Sequence, residues 1–108
     1  MFVQLVRFRT GLAEADVRQT IEARAPRYRD LPGLLQKYYI RHRETGEYGG
    51  IYVWEDERAL DGSRTSELSR PIREAYAAEG ESRVDNFEVM AVLRAVEAVP
   101  IPHAPTRR

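Results

Sequence analysis

Several stretches of this chain are apolar on both of their alternating faces, and no other feature restricts its folding as much. Phe2 to Arg9, Leu34 to His42, Tyr48 to Glu55 and Val84 to Leu93 are dense in aliphatic, β-branched and aromatic residues and contain no proline, as strands do. Val3, Leu5, Ile51, Val53, Met90 and Val92 fall on one parity; Phe2, Phe8, Tyr52, Trp54, Phe87 and Val89 fall on the other. A strand with two apolar faces is covered on both. Helices of the same chain can cover one face, and something else must cover the second.

The helices are legible between the strands. From Ala13 to Tyr28 the residues Ala13, Val17, Ile21, Ala25 and Tyr28 recur at helical spacing, with Glu14 and Asp16 near the positive end of the dipole. Pro26 interrupts this pattern and should kink its last turn or start a new one. Leu31-Pro32-Gly33 reads as a turn. Asp56 is placed to cap a short helix from Glu57 to Ser66, and Ser69 with Pro71 opens another that runs to Ala78 and closes at Gly80. The order is β-α-β-β-α-β, an α+β ferredoxin-like plan: a four-stranded antiparallel sheet with helices on one face. Its helices are then already used, so a homodimer joined sheet to sheet is the expected second cover. The domain is expected over residues 1–94, with residues 95–108, which hold Pro100, Pro102 and Pro105, as an extended tail.

Composition supports this and removes alternatives. At 108 residues the chain is one small domain that buries a limited core, and with no cysteine it has neither disulfides nor thiolate metal sites to compensate. A partner subunit remains. Seventeen basic residues balance seventeen acidic ones, which argues against nucleic acid as a partner. Lys37 is the only lysine. The N-terminus lacks the features of a signal peptide or membrane span, so a cytoplasmic protein with no membrane association is expected. His42 and His103 do not make a metal site by any familiar spacing, and His42 reads as a turn histidine.

The hairpin carries the candidate site. If Thr45-Gly46 is a two-residue turn, Tyr39 faces Tyr52 and Lys37 faces Trp54, and Lys37, Tyr39, Arg41, Tyr48, Tyr52 and Trp54 share one face. Tyrosines, a tryptophan and a lysine on one wall suit a flat, partly polar organic ligand, or else fill the core or dimer interface. A one-residue slip would exchange the two faces. Gly49-Gly50 either accommodates a bulge or close packing, or leaves room for a ligand beside Trp54. Arg64, Arg70 and Arg73 lie on the helices expected to overhang the sheet, where an arginine can clamp an anion or simply face solvent. Tyr76, three residues after Arg73, can reach the same cavity or pack in the core.

Leu34-Leu35-Gln36-Lys37-Tyr38-Tyr39, followed by Gly49-Gly50-Ile51-Tyr52-Val53-Trp54-Glu55-Asp56-Glu57 after a Pro32-Gly33 turn, resembles the YdhR-like mono-oxygenases. These belong with the dimeric α+β barrels that include the antibiotic-biosynthesis monooxygenases. The resemblance spans Phe2 to Leu93 in plan. It implies two ferredoxin-like protomers whose sheets close into a barrel, with a pocket between each sheet and its own helices. It also implies oxidation of a small aromatic or quinol-type molecule by dioxygen, with no cofactor. Trp54 matches the strand-end tryptophan that lines the relatives' pocket, so the implied catalytic residues are Trp54, Tyr52 and Arg73. Lys37, Tyr39, Tyr76 and Gly50 are then the substrate contacts. Relatives often carry a histidine on the helix after this strand; Ala59 to Arg64 has none. A non-catalytic small-molecule-binding or stress-response barrel is the alternative, and a haem-degrading relative would have only His42 in the domain to offer its iron.

Overall fold

The computed structural model describes residues 1–63 and 72–94. Its elements run β1 (Phe2–Thr10), α1 (Glu14–Arg24), α2 (Pro26–Arg29), β2 (Leu34–Arg41), β3 (Tyr48–Trp54), α3 (Glu57–Gly62), α4 (Ile72–Ala75) and β4 (Ala78–Glu88). The four strands form one sheet in the order β2-β3-β1-β4, and every pairing is antiparallel. This is the ferredoxin-like plan. Arg64, Arg70, Pro71, His103 and the expected proline-rich tail lie outside the described residues.

Local chemistry explains the boundaries. Glu14 and Asp16 sit in the first turn of α1, where Glu14 also pairs with Arg18 at 2.9 Å. Pro26 cannot donate a backbone hydrogen bond, so it ends α1 and takes the first position of α2, where that loss costs nothing. The Asp56 carboxylate caps α3 by accepting from the Ala59 N–H at 2.9 Å. Gly33 turns into β2 with φ of 85°, and a Cβ there would lie 2.6 Å from the Ala59 methyl, so the position demands glycine twice over.

The hairpin differs from expectation by two residues. Lys37 pairs with Tyr52, Tyr39 with Gly50 and Arg41 with Tyr48, because His42 and Glu47 close a four-residue loop in place of a two-residue turn. The His42 imidazole sets that loop: its Nδ1 accepts from the Glu44 and Thr45 N–H groups at 3.1 and 3.2 Å. A shift of two preserves parity, so Lys37, Tyr39, Arg41, Tyr48 and Tyr52 keep their shared face. A register shift between Leu34 and Gln36 then brings Leu34 opposite Trp54.

β4 is the largest departure. It begins at Ala78 and ends at Glu88, where Val84 to Leu93 was expected, and Gly80 lies inside it with φ of 68°. Glu88 already pairs with Phe2, and past it Val89 N–H bonds the Met1 carbonyl. Phe87 pairs with Val3, which moves it to the face of Val3 and Leu5, away from Phe2.

Two core clusters fill the space between sheet and helices. Tyr28, Tyr52, Trp54 and Leu60 form one; Phe8, Val17 and Tyr76 form the other. No helix among the described residues is long and apolar enough to cross a membrane.

Candidate active site

A cleft opens where the two clusters meet. It is narrow and half open to solvent, and it takes walls from the sheet, from α1 and α2, and from α4 and the residue after it. Phe8, Val17 and Ile21 make its apolar side. Tyr28, Lys37, Tyr39, Tyr52 and Tyr76 make its polar side.

The sheet pleat sends Lys37, Tyr39 and Tyr52 to the helix-bearing face because they occupy paired or alternate positions on β2 and β3. The α2 turn started by Pro26 lowers Tyr28 onto them. Lys37 Nζ lies 3.4 Å from the centre of the Tyr28 ring and 4.5 Å from those of Tyr39 and Tyr52. Rings from three elements therefore cage one ammonium. Arg24, only 6% exposed, reaches the same place from α1 and donates to the Tyr28 hydroxyl at 3.5 Å.

Charge follows from this crowding. Desolvation, helped by the nearby Arg24 guanidinium, pulls the Lys37 ammonium down to about 7. Burial pushes Tyr76 up to about 12, and pushes Tyr39 and, much further, Tyr52 upward as well. A hydrogen bond with Tyr28 adds to the shift of Tyr52. At neutral pH these three hydroxyls are donors, while the amine has a substantial neutral fraction.

Each anticipated residue among those described has a definite place. Lys37, Tyr39, Gly50, Tyr52 and Tyr76 come together in the cleft. Trp54 does not line it: 3% exposed, the indole stacks behind Tyr52 and donates from Nε1 to Gln4 Oε1 at 3.2 Å. Arg73 turns away to hydrogen-bond Ser82 Oγ at 2.8 Å and the Gly80 carbonyl, tying α4 to β4. The two glycines divide the roles weighed for them. A Cβ on Gly49 would fall 1.8 Å from the Val6 carbonyl oxygen, so Gly49 serves backbone packing; a Cβ on Gly50 would meet Tyr52 Cε1 at 3.3 Å and Lys37 Cε at 3.6 Å, within the cleft. Arg24 is the residue that pattern reading missed. Its signal was the spacing Val17, Ile21, Arg24, Tyr28, which sets an arginine on the buried stripe of the helix.

The family described as "Putative mono-oxygenase ydhR" matches residues 4–100. The chain belongs to the YdhR mono-oxygenase family. None of the curated proteins matches it. Among solved structures, this YdhR-family chain is similar to SnoaB, a cofactor-independent oxygenase from Streptomyces nogalater. The identity is 22% and the TM-score 0.67, covering 87% of this chain and 97% of that one. It is also similar to Rv0793 from Mycobacterium tuberculosis, at 17% identity and TM-score 0.68 over 86% and 98% of the two chains. A third is a point mutant of MhuD with two manganese protoporphyrin IX molecules per active site, at 16% identity and TM-score 0.69 over 88% and 100%. At these identities the likeness concerns the fold. His42, engaged in the hairpin loop, does not line the cleft described above.

Proposed function

We propose that this YdhR-family protein is a cofactor-independent monooxygenase that oxidises a small aromatic or quinol-type molecule with dioxygen, and that it works as a homodimer. The observation that carries the reading is the cleft itself, where one slot between sheet and helices presents apolar walls, protonated tyrosine hydroxyls and a single amine. A flat ring entering between sheet and helices would meet the apolar walls, and the hydroxyls would orient a phenolic or enolic oxygen.

The chemistry asks little of the protein. An electron-rich anion passes one electron to dioxygen, the radical pair combines at carbon to a hydroperoxide, and loss of water leaves a carbonyl; a ring methylene group and one dioxygen become a carbonyl and water. The hydroxyls of Tyr39, Tyr52 and Tyr76 donate to the developing charge in a site of low dielectric. Trp54 holds Tyr52 in place from behind, and Arg73 fixes the helix that leads to Tyr76.

The homodimer reading rests on the sheet's other face. Val3, Leu5, Ile51 and Val53 lie on it with Phe87 and Tyr38, which are 52% and 46% exposed, and none of the described helices covers them. A second copy packed sheet to sheet would bury this surface.

Oxygen uptake with a panel of anthrones and hydroquinones tests the activity. Uptake that scales with protein and drops for Tyr52→Phe supports it. Saturable binding without uptake across the panel instead makes the domain a non-catalytic binding barrel.

A further inference from the structure

The only lysine of the chain is delivered to the cleft and not to solvent. The groups facing its amine come from four elements, Arg24 from α1, Tyr28 from α2, Tyr39 from β2 and Tyr52 from β3, and Tyr76, after α4, lines the same cleft. None is an acid that is ionised at neutral pH. Among the described residues no carboxylate forms an ion pair with Lys37. The amine therefore sits among π faces and a like charge, without the anion that a buried ammonium ordinarily keeps.

We propose that the Lys37 amine is the proton acceptor of the cleft, taking the acidic proton of a phenolic or enolic ligand so that a neutral phenol and a neutral amine become a phenolate and an ammonium. The nitrogen lone pair forms the new N–H bond as the ligand's O–H bond breaks, and the O–H electron pair stays on oxygen. The transfer supplies the missing counter-ion. Before it, desolvation and Arg24 favour the neutral form of the amine; after it the ammonium has an anion beside it and three ring faces around it. The other groups cannot take this part. Tyr39, Tyr52 and Tyr76 hold their protons more firmly than free tyrosine, and the His42 Nδ1 is occupied by two backbone N–H groups. Gly50 leaves the approach to the amine open, since a Cβ there would come within 3.6 Å of Lys37 Cε.

This inference rests on the cleft being the ligand site of the proposed oxygenase, yet the proton transfer is readable without oxygen. Protein labelled with 13Cε-lysine gives a single lysine resonance. Its titration is expected to centre near 7, where an exposed lysine titrates at about 10.4. Under nitrogen at pH 7, close to the midpoints of both groups, bound 4-nitrophenol is expected to absorb as the phenolate while the 13Cε shift, halfway through its titration in the free protein, moves to the ammonium position. Lys37→Met is expected to bind it without the phenolate band, and the wild-type readings stand alone should that variant not fold. A lysine midpoint above about 9, bound nitrophenol that remains in its acid form, or no saturable binding each overturns the inference. Phenolate formation without oxygen uptake sinks only the oxygenase reading; uptake without phenolate formation sinks only the role of Lys37.

Discussion

The rings of Tyr52 and Trp54, two residues apart on β3, lie 2° from parallel with their centres 5.9 Å apart. Tyr52 faces the cleft and Trp54 supports it from the core, where the indole N–H satisfies the buried Gln4 amide at 3.2 Å. The strand-end tryptophan therefore acts on the cleft through its neighbour.

Trp54→Phe keeps an aromatic stack but leaves Gln4 Oε1 without its donor. A loss of roughly 1–3 kcal/mol in denaturant unfolding is expected. Adding Gln4→Leu should recover part of it, because the orphaned amide is then gone. Equal losses in the single and double variants would show that the hydrogen bond contributes nothing.

Lys37 makes stability depend on pH in an unusual direction. Its folded-state pKa is lowered, so between about 7 and the unfolded value of 10.5 the unfolded chain binds the extra proton and stability rises with pH through that window. Below about 7 the burial penalty on the ammonium is fully present. Lys37→Met should accordingly raise the urea midpoint more at pH 6 than at pH 9. The raised tyrosines act in the opposite sense above pH 10, where the unfolded chain loses protons that the fold retains, which confines the useful window to below that. A pH-independent effect of Lys37→Met would remove the caged ammonium from the account.

Gly49 and Gly50 should separate cleanly on substitution. Gly49→Ala drives a methyl against the Val6 carbonyl and is expected to prevent folding or cost several degrees in Tm at the least. Gly50→Ala meets its neighbours at 3.3 Å and beyond, so it should fold, with a small loss of Tm, and weaken nitrophenol binding by narrowing the cleft. The reverse order of the two melting temperatures would contradict the assignment.

Much of this was readable from residue order, and the failures have identifiable physical causes. β1, the hairpin strands, the Asp56 cap and the break at Pro26 announce themselves through local chemistry. The loop after His42 did not, because an imidazole accepting two backbone N–H groups creates a four-residue turn that Thr45-Gly46 conceals. β4 misled because its first half, Glu79 to Arg83, is polar and exposed at the sheet edge, while the apolar run after Glu88 continues past the Phe2 pairing. The aromatic wall was legible by parity. Trp54 and Arg73 were not placeable, since which side of a packed ring or helix meets a cavity is decided by neighbours far off in sequence.

Sheet-to-sheet pairing predicts a concentration-dependent melt. Dilution of the wild type should lower Tm, and Val53→Asp, on the exposed face, should yield a monomer whose melt no longer depends on concentration. A wild type that is monomeric at all concentrations would overturn the dimer.

The position of a bound phenol tests the central claim most directly. A crystal structure with a non-oxidisable phenol should show its ring between the sheet and the helices, its oxygen within hydrogen-bond distance of Lys37 Nζ or the Tyr39 or Tyr76 hydroxyl. A ring bound on the opposite face of the sheet, or an empty cleft at saturating ligand, would contradict the account.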